Sequence, residues 1–146
     1  MRFLFYDKIN KIEKGKSITG VKAFTLTEEF LRGHFGKIAL VPGVIFIEAM
    51  AQLLGWLIIY SHDFKLSVVM SLIEDINVPA RLRPGFKADI LAEIISTSRG
   101  DSLGRAKIYV DGELIASMNR IIYSHFHGVN PEELLERFQN YSGLKV

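Results

Sequence analysis

No cysteine occurs among the 146 residues, which excludes disulfides and thiolate metal sites and agrees with a reducing compartment. Proline is scarce, four in all, so Pro42, Pro79, Pro84 and Pro131 each read as punctuation between elements. A bias toward one sign of charge is also missing. Eighteen Lys and Arg against sixteen Asp and Glu leave a formal charge of +2, too mild to argue for nucleic acid. Internal repeats, low-complexity stretches, a phosphate-binding glycine loop and a Ser-centred nucleophile elbow are absent, and no nucleotide cofactor is suggested. The apolar run in MRFLFYDK is too short for a signal peptide, so the expected location is the cytoplasm. At this length, with 49% hydrophobic residues, residues 1–146 are expected to form one domain with apolar surface left for a subunit interface.

What is present is one long apolar run, 38–60. It is long enough to cross a membrane, but it contains Pro42, Glu48 and Gln52 and lacks a flanking basic cluster, so a buried helix is preferred and no membrane span is expected. The Pro42-Gly43 turn starts that helix over 43–60. Apart from Glu48, Gln52 and Tyr60 every position is apolar or Gly, which predicts wrapping on most sides. Glu48 and Gln52 are four residues apart and share a face, where an amide can orient a carboxyl group. His34 stands just ahead of this turn, so a base, a helix N-terminus and an acid arrive within twenty residues.

Around this piece the pattern is mostly strand. Residues 1–16 are mixed, with Lys8, Lys11, Lys14 and Lys16 solvated. Strands are expected over 17–26, 67–78, 87–97, 103–110 and 113–123, with Ala88, Ile90, Ala92 and Ile94 on one face and Ala106, Ile108 and Val110 on another. Asp111-Gly112 is a two-residue hairpin signal. Asn130, Pro131, Glu132 and Glu133 announce a capped C-terminal helix ending near Gly143. Together these predict an α+β fold, a curved antiparallel sheet around one apolar helix, with 125–146 as an extension. His125 and His127 alternate at a strand end without a third ligand in view, so no metal site is assigned.

The letters Gly33-His34-Phe35, Pro42-Gly43-Val44 and Glu48-Ala49-Met50-Ala51-Gln52 resemble the signature of the 3-hydroxyacyl-acyl carrier protein dehydratases, and the spacing from His34 to Glu48 matches without a gap. Phe5, Asp7, Gly15, Gly20, Lys22, Thr25, Glu28 and Phe30 are similar to the family's leader, and the likeness covers roughly 3–124. Gly36 and Ala39 replace two loop prolines of the family and Phe86 replaces a common Asp, which bears on loop order and substrate range.

The resemblance implies the hot-dog fold and a hydro-lyase that converts 3-hydroxyacyl thioesters to trans-2-enoyl thioesters. It assigns catalysis to His34 and Glu48 and substrate binding to Phe35, Gly43, Val44 and Gln52. It also implies no cofactor, acyl carrier protein as the acidic partner, and a homodimer as the minimum active unit, with assemblies up to a hexamer compatible. Arg81, Arg83, Lys87, Arg99, Arg105 and Lys107 are candidates for steering the carrier. A hot-dog thioesterase and a non-catalytic acyl-binding subunit are the alternatives.

Overall fold

The computed structural model describes residues 3–31 and 38–144. In chain order it contains β1 (Lys8–Glu13), β2 (Ser17–Phe24), a 3-10 turn (Glu29–Leu31), α1 (Gly43–Ser61), β3 (Ser67–Asn77), β4 (Phe86–Thr97), β5 (Asp101–Val110), β6 (Glu113–Phe126) and α2 (Pro131–Ser142). The strands form one antiparallel sheet in the order β1-β2-β4-β5-β6-β3.

Alternation decides which face of the sheet meets α1. Ala88, Ile90 and Ala92 of β4, and Ala106 and Ile108 of β5, are all buried as the pattern predicted. Small residues along these strands let α1 approach closely, and Leu53, Leu54, Leu57 and Ile58 of that helix are fully buried. The approach is tightest at Gly104, where a Cβ would stand 2.7 Å from both Leu54 Cδ2 and the Glu93 carbonyl oxygen. The β5–β6 hairpin turns at Asp111 (φ 50°) and Gly112 (φ 81°), the left-handed pair that a two-residue turn requires.

One feature differs from expectation. The lysine-rich start contains an edge strand, β1, whose alternation is broken by a bulge between Ile9 and Lys11, so Ile9 and Ile12 stand three apart instead of two. α1 is wrapped on most sides, as its composition predicted, with one exception. Val44 is 63% exposed, and Glu48, Gln52, Trp56 and Tyr60, which follow at intervals of four, are half-buried. One stripe of the helix is therefore left partly open.

The C-terminal end of that stripe is covered by α2. Asn130 Oδ1 accepts from the Glu132 and Glu133 amides at 3.0 and 3.3 Å, Pro131 opens the helix, and Gly143 closes it at φ 77°. The fully buried Phe138 then packs on Trp56, Tyr60 and Phe64, with ring centroids 5.4, 6.0 and 5.6 Å away.

Candidate active site

The start of α1 is held by the loop before β4. The Val41 amide donates to the Leu82 carbonyl at 3.0 Å, and Val78 lies so close to Gly43 that a Cβ there would meet Val78 Cγ2 at 2.8 Å. Glycine at 43 is thus required by packing within the chain, in addition to any approach by a substrate. The first-turn amides of a helix have no carbonyl partner within it and carry the positive end of its dipole. Gly43 and Val44 provide that end here.

One turn further along, Gln52 Nε2 donates to Glu48 Oε1 at 3.2 Å, the pairing expected from their spacing. The same amide is engaged by the N-terminal segment. Its Oε1 accepts from the Phe5 amide at 2.8 Å, and its Nε2 also donates to the Phe3 carbonyl at 3.2 Å. Glu48 and Gln52 sit at the lip of a groove of about 260 Å³ that runs along α1 past Ala51, Gly55, Trp56 and Ile59, with Val68 and Met70 of β3 opposite. Its floor is Tyr123, whose hydroxyl donates to the Ala51 carbonyl. Burial, and after it the Glu48 charge, push the Tyr123 phenol up, so it remains a neutral donor. The groove is apolar apart from the acid and amide at one end, which suits a hydrocarbon chain attached to a polar head.

Of the residues singled out from sequence, Gly43, Val44, Glu48 and Gln52 fall together on the first three turns of α1. His34 and Phe35 lie outside the described residues. Sequence reasoning missed Tyr123 and the backbone of Phe3 and Phe5. Tyr123 was discoverable, since it follows the buried Ile121 on the inward side of β6. The strap contacts were not, because main-chain donors and acceptors carry no side-chain signature.

The six candidate cations do not share one surface. Arg81 and Arg83 flank Leu82 beside the start of α1, and Lys87 follows at the beginning of β4. Arg105 is paired with Glu93 at 3.3 Å on the sheet. The Arg99 carbonyl accepts from His125 Nδ1, and the His125 ring lies 5.1 Å from that of His62, the residue that caps α1 at its other end. A helix of 19 residues is about 28 Å long, so Arg99 stands at the far end of α1 from Gly43. Among the described residues no group of three or more His, Cys, Asp or Glu side chains is placed to hold a metal ion.

The sequence matches the FabA-like domain over residues 1–119. The chain belongs to the FabA-like family. It is 34% identical over 115 residues to a 3-hydroxyacyl-[acyl-carrier-protein] dehydratase of Clostridioides difficile, covering 77% of this chain and 80% of that one. It is 37% identical over 117 residues to the enzyme of the same description from Syntrophotalea carbinolica, covering 78% and 79%. Among solved structures, a thioesterase from Haemophilus influenzae superposes with a TM-score of 0.65 at 14% identity, covering 84% of this chain and 79% of that one. At that identity the superposition speaks for the fold alone, and the fold is the hot-dog fold: a curved antiparallel sheet around a central helix. α2 lies beyond the residues matched to the family domain.

Proposed function

We propose that the protein removes water from 3-hydroxyacyl thioesters carried on acyl carrier protein, giving trans-2-enoyl thioesters for fatty acid or related lipid synthesis in the cytoplasm. The observation that carries this reading is the Glu48 carboxyl, oriented by Gln52 at the mouth of an acyl-sized groove and one turn inside the N-terminus of α1. Relatives bearing the dehydratase description over about four-fifths of their length support the same chemistry.

The elimination needs a base at C2, an acid at the C3 hydroxyl and a polariser of the thioester carbonyl. His34 takes the C2 proton. The electron pair of that C–H bond becomes the C2–C3 double bond, and the C3–O bond breaks as its oxygen accepts a proton from Glu48, so that water departs. An imidazolium and a carboxylate remain and exchange their proton to reset the site. The Gly43 amide, at the positive end of α1, hydrogen-bonds the carbonyl oxygen while charge accumulates there. Val44 and Phe35 contribute to substrate binding, and the acyl chain lies along the groove toward Gly55 and Tyr123.

A homodimer is the assembly we assign to the active enzyme. β3 is an edge strand with Val69 56% and Leu72 40% exposed, and the same strand forms one wall of the half-open groove. A second copy paired along that edge would satisfy its backbone groups and roof the groove. Arg81 and Arg83, beside the mouth, receive the acidic carrier. Residues 1–146 act as one dehydratase unit, with 125–146 as a brace on α1.

Incubation with a 3-hydroxyacyl thioester and with an enoyl thioester tests the reading. Reversible hydration without thiol release is expected, and His34→Ala and Glu48→Gln should each lower kcat about 10²–10⁴-fold while leaving the circular dichroism spectrum unchanged. Release of free thiol would assign a thioesterase instead, and no turnover in either direction would leave an acyl-binding subunit.

A further inference from the structure

Residues 3–7 join the segment around Lys22 and Phe30 to the Gln52 amide beside Glu48. At one end, the Asp7 amide donates to the Val21 carbonyl at 2.7 Å, Asp7 Oδ2 accepts from the Ala23 amide at 2.7 Å, and Asp7 Oδ1 lies 3.7 Å from the buried Lys22 ammonium. Lys22 in turn pairs with Glu28 at 2.8 Å, next to the 3-10 turn Glu29–Leu31 that precedes the His34 segment in the chain. In the middle, the buried Phe5 ring packs edge-on against Phe30 of that turn at 5.8 Å. At the other end, the backbone of Phe3 and Phe5 holds the side chain of Gln52.

The hydrogen-bond chemistry at Gln52 admits one arrangement. The Phe5 amide can only donate and the Phe3 carbonyl can only accept, so the Gln52 oxygen faces the first and its nitrogen the second; a flipped amide would oppose donor to donor and acceptor to acceptor. One of the two Nε2 hydrogens is then committed to Phe3, and the other points to Glu48 Oε1. Glu48 Oε1 must accept. The carbonyl oxygen of a protonated carboxyl is its stronger acceptor, so a protonated Glu48 holds its hydrogen on Oε2.

We propose that residues 3–7 form a positioning strap for the dehydration: by fixing the rotation of the Gln52 amide, their backbone selects Oε2 of Glu48 as the oxygen that delivers the proton to the C3 hydroxyl. This rests on Glu48 being the acid of the reaction. Gln52 and the strap are positioning groups that act through Glu48. Without the Phe5 donor the amide can turn over, present its oxygen to Glu48 and draw the acidic hydrogen toward itself, away from substrate. Binding of the acyl chain, which uses the apolar groove, is untouched by that turn.

The test replaces the Phe5 N–H alone, by incorporating the α-hydroxy analogue of phenylalanine at position 5 so that the peptide becomes an ester and every side chain is retained. The expected result is a fall in kcat of about tenfold or more with KM within about twofold of the parent. An ester variant with parental kcat and an intact fold would overturn the proposal. If that variant does not fold, the side-chain NH₂ of Gln52 in the unaltered protein decides the matter by NMR. Its hydrogens are expected to exchange with solvent more slowly than those of a free glutamine side chain, and exchange at the free rate would overturn the strap. Glu48→Gln run alongside separates the two claims. If it stays active the acid is wrongly assigned, whereas an inactive Glu48→Gln beside a fully active ester variant sinks the strap alone.

Discussion

The ring of His62 closes a directed chain of hydrogen bonds at the end of α1 remote from Glu48. His62 Nε2 meets Thr97 Oγ1 at 2.8 Å, Thr97 Oγ1 meets Ser102 Oγ at 2.6 Å, and Ser102 Oγ meets His125 Nε2 at 2.7 Å. Because His125 Nδ1 faces the Arg99 carbonyl, which only accepts, neutral His125 accepts at Nε2, and the donors then run one way from His62 Nε2–H to Ser102. The chain resembles a Ser-His pair, but Ser102 is 1% exposed and out of reach of any substrate. Its role is structural. Burial, then the neighbouring His125, hold the His62 imidazole below its ordinary value of 6.5, with His127 adding to this and Asp63 opposing it. The fold therefore favours neutral His62. This part of the stability is complete above the unfolded value and is lost as pH falls through the lower folded one. The thermal midpoint is expected to drop between about pH 7 and about pH 5, and His62→Asn should remove part of that slope when both proteins are melted across the range.

At the scale of elements, α2 packs on α1 with Phe138. Phe138 is fully buried between Trp56, Tyr60 and Phe64, on the half of α1 away from Gly43. Truncation leaves a cavity among three aromatic rings that backbone shifts cannot readily fill. Phe138→Ala should cost about 3–5 kcal/mol in urea unfolding, with the loss read as a lower midpoint at unchanged slope. Trp56 also borders the acyl groove, so the brace and the groove share a wall. The caps of α2 were readable from Asn130, Pro131 and Gly143, and an apolar stripe of Leu134, Leu135 and Phe138 is legible in the same segment. The surface it docks on was not, since a stripe states that something is covered and not what. β1 was illegible for a different reason: an edge strand needs only one buried side chain, here Ile9, and its bulge breaks the period of two that marks a strand.

At the scale of the whole molecule, the candidate cations divide between the two ends of α1. Arg81 and Arg83 stand with the start of the helix, while Arg99 belongs to the far end and Arg105 is paired on the sheet. On the proposed function, steering of an acidic carrier falls to the first two. Arg81→Glu combined with Arg83→Glu should raise KM for a carrier-linked substrate about tenfold or more at low salt, and leave KM for a short soluble thioester unchanged. The effect should shrink as ionic strength rises, because exposed charges are screened within about 10 Å at 0.1 M salt. Steady-state kinetics with both substrates at two salt concentrations reads both outcomes. The partly open groove and the unpaired β3 edge lie on one side of the molecule, so completing the site and completing the sheet call for the same neighbour.

The sequence by itself determined the local facts: where α1 begins, that Glu48 and Gln52 share a turn, which strands alternate, where the β5–β6 hairpin turns and how α2 is capped. These follow from spacing and from residue chemistry along a few consecutive positions. Only the tertiary structure decided that Tyr123 floors the groove, that Val78 enforces Gly43, that the candidate cations divide between two ends, and that the backbone of Phe3 and Phe5 grips Gln52. Each of these joins groups dozens of residues apart, and several use main-chain atoms that every residue possesses, so no pattern of side chains could have announced them.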